Sequence, residues 1–162
     1  MAQLTQFYKD MEAAKPAEQL VYNLLSSSGY KVEDVSDIKE YRYLGDIKLV
    51  TSKGVTFFID IKDDKRIAET GNFLFEEEVY LKDIDDFIPG DMKKHYDILA
   101  VVSQEEQKIY YLDFHIVKQK YKQGEFIRIT HPTQDTYGYL CPIGLVKRWG
   151  AIKEIFLYNI GE

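Results

Sequence analysis

The chain has 162 residues but only one cysteine, four prolines and one tryptophan. A lone Cys141 can form neither an internal disulfide nor a cysteine-based zinc site, so a disulfide scaffold is excluded and a reducing compartment is compatible. Long apolar runs are missing as well. The apolar stretch Tyr137 to Val146 holds a proline and two glycines, and a membrane span needs about 20 residues. Met1 to Lys15 is polar and mixed in charge, without the basic-then-apolar order of a signal peptide, and the expectation is a cytoplasmic protein. No Gly-x-Ser-x-Gly elbow, phosphate-cradling glycine loop or dinucleotide fingerprint occurs, which argues against serine-hydrolase and P-loop chemistry. His95, His115 and His131 are scattered without metal-ligand spacing. Internal repeats and Pro/Ser-rich linkers are also lacking, so residues 1–162 read as one domain, with a core over about 16–112 and a basic part over about 113–162.

Hydrophobic residues make up 45% of the chain and charged residues 30%, ordinary globular proportions. The net charge of −6 hides an asymmetry. Residues 114–153 carry seven bases against two acids, whereas the first 113 residues sum to −9. The acidic front suits a divalent cation, because carboxylates are hard oxygen ligands. In the basic rear, Lys118, Lys120 and Lys122 surround Tyr121, and Lys147 and Arg148 precede Trp149; bases interleaved with aromatics suit DNA contact. A solvated helix face explains the same residues equally well.

From Pro16, residues Ala17, Leu20, Val21, Leu24 and Leu25 follow the spacing of a helix with one buried face, with Pro16 in its first turn and Gly29 at its end. Tyr30 to Asp37 reads as a short strand or connection. Gly45 to Thr51 and Val55 to Ile61 read as a β-hairpin about Ser52-Lys53-Gly54. Asn72 to Tyr80, Asp97 to Ser103 and Ile109 to Leu112 are strand-like, giving a sheet of four or five strands. Asp113 to Lys122 reads as a helix, Phe126 to Thr130 and Thr136 to Cys141 as strands, and Leu145 to Tyr158 as a closing helix interrupted by Gly150. The expected class is α/β or α+β, with a central mixed sheet flanked by helices.

The hairpin carries the chemistry. Its turn pairs Thr51 with Val55, Leu49 with Phe57, Ile47 with Ile59 and Asp46 with Asp60. Side chains alternate along a strand, so Asp60 and Lys62 share one face and Phe57, Ile59 and Ile61 the other. Like charges placed directly opposite destabilise a sheet unless something neutralises them. The neutralisers on offer are Lys62 and a divalent cation.

These residues resemble the PD-(D/E)xK nucleases, the superfamily of many restriction enzymes, junction resolvases and phage or repair endonucleases. Gly45-Asp46 matches the first acid and Asp60-Ile61-Lys62 the rest, while Glu18 looks like the glutamate many members place on the preceding helix. Thr70-Gly71-Asn72-Phe73-Leu74-Phe75-Glu76-Glu77 is similar to a segment found in some phage and bacterial relatives. The likeness covers roughly residues 16 to 80. Gly45 stands where the older pattern has proline. Asp-x-Lys also occurs at Asp37, Asp46, Asp63 and Asp91, but only Asp60-Ile61-Lys62 ends an apolar strand facing an upstream acid. A shifted assignment, with Asp37 as first acid and Asp46-Ile47-Lys48 as the pair, remains open.

The resemblance implies a restriction endonuclease-like core and a Mg²⁺-dependent DNA endonuclease, with Mn²⁺ as substitute, acting as a homodimer on double-stranded or branched DNA. Asp46, Asp60 and the backbone carbonyl of Ile61 would hold the cation, with Glu18 or Glu76 completing its shell. Lys62 would position the attacking water or stabilise developing charge. Two other readings stand beside it: a nuclease-fold module that binds nucleic acid or protein without cutting, and an unrelated α+β domain with an ordinary hairpin.

Overall fold

In the computed structural model, residues 2–81, 84–126, 128–130 and 136–158 are described. The first helix, α1 (Ala2–Ser27), starts well before Pro16, which lies inside it. The expected start at Pro16 is thereby corrected: a proline removes one backbone hydrogen bond, and the turns on either side carry the helix through. Its predicted apolar face is the one that packs, with Ala17 and Val21 buried and Leu20, Leu24 and Leu25 against the same core.

After α1 come β1 (Lys31–Asp34), β2 (Ile47–Val50) and β3 (Thr56–Asp63). A long crossover follows, made of α2 (Ile67–Thr70), β4 (Asn72–Leu81), β5 (Asp86–Pro89) and a 3-10 turn at Asp91–Lys93. The chain then forms β6 (Ile98–Ser103), β7 (Lys108–Asp113), α3 (Phe114–Lys122), β8 (Arg128–Thr130), β9 (Thr136–Pro142), α4 (Ile143–Arg148) and β10 (Ile152–Leu157).

Two sheets result, so the fold is α+β. The first has six strands in the order β1-β2-β3-β6-β7-β10 and is mixed, because β3 and β6 run parallel while its other neighbours are antiparallel. The second has four antiparallel strands in the order β5-β4-β9-β8. Parallel strands require a crossover connection, and here that crossover supplies β4 and β5. This is why Asn72 to Tyr80, expected in the central sheet, lies in a second sheet across its face.

The closing helix is likewise corrected. Only Ile143–Arg148 is helical; after a turn at Trp149 and Gly150, Ile152–Leu157 pairs antiparallel with β7. The sequence Ile-Lys-Glu-Ile-Phe-Leu fits either period at this length, and the open edge of β7 decides for strand.

Alternation splits the core in two. On one face of the six-stranded sheet, Ile47, Leu49, Ile59, Ile61, Ala100, Val102 and Ile109 pack under α1. On the other, Leu99, Val101, Tyr110 and Leu112 meet Phe73 and Phe75 of β4, Cys141 of β9 and Phe114 and Val117 of α3. Phe73 and Tyr110 meet edge to face at 5.4 Å. Covered on both sides, β6 reads as a nearly continuous apolar run, as buried strands do. No described helix is long and apolar enough to cross a membrane.

Candidate functional site

The hairpin register is the expected one, with Ile47 opposite Ile59 and Leu49 opposite Phe57. Asp46 lies just before β2, outside the paired residues, and donates its backbone N–H to the Ile59 carbonyl at 2.9 Å. Gly45 sets up this entry. Its φ of +124° lies outside the range of a proline ring, and a Cβ there would stand 2.7 Å from the Ile59 carbonyl oxygen. Glycine at position 45 is therefore required by the close approach of the chain to β3.

The Asp46 and Asp60 carboxyls lie close enough to act on each other's ionisation. Asp46 Oδ2 also accepts the Ile61 N–H at 3.0 Å. Burial raises both carboxyls above their ordinary range, Asp60 further because the Asp46 charge adds to it. The Lys94 charge acts in the opposite sense on both. Two carboxylates in one enclosed place oppose each other's ionisation.

Glu18, on α1, belongs to the same electrostatic neighbourhood. Burial, then the charges of Asp46, Asp34 and Asp37, push its carboxyl up to about 7. Asp46 thus acts on both Glu18 and Asp60. Among the described residues, no three Asp, Glu, His or Cys side chains are closed into a metal-ligand cluster.

Lys62 lies on the face of Asp60, as alternation requires, but this face is enclosed by β4 rather than open. The Lys62 ammonium donates to the Leu74 carbonyl and lies 3.2 Å from Asp91 Oδ2 and 3.4 Å from Glu76 Oε1. Burial opposes its charge, yet the Asp91, Glu76 and Asp64 carboxylates outweigh that and raise it above the ordinary lysine range. Glu76 is brought to Lys62. Glu77 points the other way, accepting from Tyr121 and Tyr139 hydroxyls at 3.0 and 2.7 Å, and Glu78 pairs with Lys93.

Sequence reasoning passed over Asp91, Lys94 and Tyr96. Asp91-Met92-Lys93 looked like one more copy of a common tripeptide, and the available signal was the Gly90-Asp91 pair, which parallels Gly45-Asp46. A Cβ on Gly90 would stand 2.5 Å from the Glu76 carbonyl oxygen. Each glycine lets the chain press against a strand and delivers the next residue, an aspartate, into the site.

The basic residues fall into two groups. Lys118 donates to the Lys94 carbonyl at 2.6 Å and Lys120 pairs with Glu125 at 3.6 Å, whereas Lys122, Lys147 and Arg148 are exposed. The ends of α3 and α4 are bridged by Phe126, whose ring stacks on Trp149 at 5.3 Å and meets Tyr121 at 5.7 Å. A scan against protein-family models, a search of curated proteins and a search of solved structures each found no match to this chain.

Proposed function

We propose that the chain is a Mg²⁺-dependent DNA endonuclease with a PD-(D/E)xK site built on a restriction endonuclease-like core. The proximity of Asp46 to Asp60, with Asp46 hydrogen bonded to Ile61 of β3 and Lys62 on the Asp60 face of that strand, carries the reading. The donor set fits a hard divalent cation. Two buried carboxylates whose ionisation burial opposes are both satisfied by a divalent cation, and Mg²⁺ is bound through one or two carboxylates with retained waters. Asp46, Asp60 and the Ile61 carbonyl would hold it, with Glu18 or Glu76 completing the shell through water. When bound, the cation polarises a phosphate oxygen and lowers the pKa of an attacking water.

The chain's own groups do the rest. The Ile61 N–H fixes the Asp46 carboxylate, so the first acid does not rotate away. Lys62, on the Asp60 face of β3, would supply positive charge to the site. The exposed Lys122, Lys147 and Arg148 supply backbone contacts to DNA. Two strands and one site per chain favour a homodimer, and the free Cys141 thiol agrees with a cytoplasmic setting.

A second reading, a nuclease-fold module that binds without cutting, draws on the lack of a closed three-ligand cluster among the described residues. One experiment separates the two: end-labelled duplex and branched DNA incubated with the protein in Mg²⁺ or EDTA. Mg²⁺-dependent products carrying a 5′-phosphate, absent with Asp60→Ala, support the nuclease. Binding without products from any substrate supports the module.

A further inference from the structure

We propose that Asp91, braced by Tyr96 and Gly90, is a positioning residue that holds Lys62 as a fixed cation for the reaction, a proposal that rests on the nuclease reading above. A lysine ammonium has three donors, and Lys62 has three acceptors around it: the Leu74 carbonyl, Asp91 Oδ2 at 3.2 Å and Glu76 Oε1 at 3.4 Å. A side chain with four rotatable bonds is thereby confined to one place, and preorganised charge is what stabilises a transition state without reorganisation. Two of these contacts are hydrogen bonds donated by the ammonium, to the Leu74 carbonyl and Asp91 Oδ2, and the third is an ion pair with Glu76.

Asp91 is built for this task. It is only 7% exposed, and both its oxygens accept hydrogen bonds. Oδ2 accepts the Glu76 N–H at 3.0 Å besides facing Lys62, and Oδ1 accepts the Tyr96 hydroxyl at 2.9 Å. Burial would raise the Asp91 carboxyl, but Lys62 and these donors hold it below the usual range, so it faces Lys62 ionised. Gly90 donates its N–H to the Glu77 carbonyl at 2.9 Å and lies against Glu76, which ties the loop to β4 and sets Asp91 beside β3. A purely structural aspartate would need none of this convergence on the lysine of the motif.

The test uses Asp91→Asn, which keeps the shape and the tyrosine contact but removes the charge, and Tyr96→Phe, which removes one brace. Expected for Asp91→Asn is a kcat reduced tenfold or more with KM for DNA within twofold of wild type; for Tyr96→Phe, a three- to tenfold fall of the same kind. Asp91→Glu should recover part of the loss. The ¹H–¹⁵N cross-peak of the Lys62 ammonium, assigned with Lys62→Arg, reads the tether without any cleavage. It should be visible at neutral pH in the wild type and lost in Asp91→Asn. A kcat within twofold of wild type in both variants, a loss confined to KM, or a cross-peak that persists in Asp91→Asn overturns the proposal. Failure of the wild type itself to cleave, with the cross-peak behaving as expected, refutes the nuclease reading instead and leaves the tether in place.

Discussion

The carboxylate of Asp46 accepts the backbone N–H of Ile61 at 3.0 Å, so the first acid of the site is hydrogen bonded into the strand that carries the second. That bond joins residues 15 positions apart and depends on how closely the chain at Gly45 approaches Ile59.

Gly45→Ala should therefore cost about 1–3 kcal/mol of stability, the range for a strained backbone position with a clash. The added Cβ meets backbone, which has less freedom to yield than a side-chain end. Urea denaturation measures it, and a change below about 0.5 kcal/mol, the scale of an ordinary surface substitution, contradicts the close approach.

Divalent cations should stabilise the fold through the Asp46 and Asp60 pair. At a hundredfold excess over Kd, binding contributes about 2.7 kcal/mol, roughly 5–10 °C in Tm for a chain of this size. Asp60→Asn should abolish this shift while melting in EDTA at or above the wild-type temperature, since it removes a buried carboxyl that opposes its neighbour. Thermal scans with Mg²⁺, with Mn²⁺ and with EDTA check both halves; an equal cation shift in the variant contradicts the assignment.

Stability in EDTA should fall as pH rises from about 4.5 to about 7, the window over which Glu18 titrates between unfolded and folded forms. A carboxyl raised in the folded state binds its proton more tightly there, so its contribution is full below the unfolded pKa and disappears as pH passes the folded one. Asp46 and Asp60 are raised too and act in the same direction. Asp91, held low, acts in the opposite sense but only at more acidic pH. Calorimetry at pH 5.0 and 7.5 should give the higher Tm at 5.0, with a smaller difference in Glu18→Gln; a higher Tm at 7.5 contradicts the arrangement.

Exchanging Lys147 and Arg148 for alanine should weaken DNA binding at all sequences alike. Each phosphate contact contributes about 0.9 to the slope of log K against log salt, so the double variant should lose up to about 2 from that slope while leaving Tm within a few degrees. An unchanged slope removes these residues from the DNA surface.

The hairpin was legible because its information is local. Three polar turn residues and the apolar alternation on either side fix a register, and that register, with Ile47 opposite Ile59 and Leu49 opposite Phe57, brings the chain at Asp46 back against β3. Asp91 was not legible, since its meeting with Lys62 across 29 positions depends on where β4 crosses the sheet. Nothing in Asp91-Met92-Lys93 distinguishes it from four other Asp-x-Lys copies. The strand Ile152–Leu157 was misread for a related reason: Ile152, Ile155 and Phe156 satisfy a helical period, and the open edge of β7 that captures them is a tertiary fact. Pro16 misled in the same way, because it also suits a helix start.

The most direct test of the account is the rate at which supercoiled plasmid is nicked by the wild type, Asp46→Asn, Asp60→Asn and Lys62→Met, each in Mg²⁺ and in EDTA. The account expects nicking by the wild type in Mg²⁺ alone and a loss of at least a hundredfold in each variant, with all four proteins folded. Nicking that survives in Asp60→Asn, or that proceeds in EDTA, would contradict it.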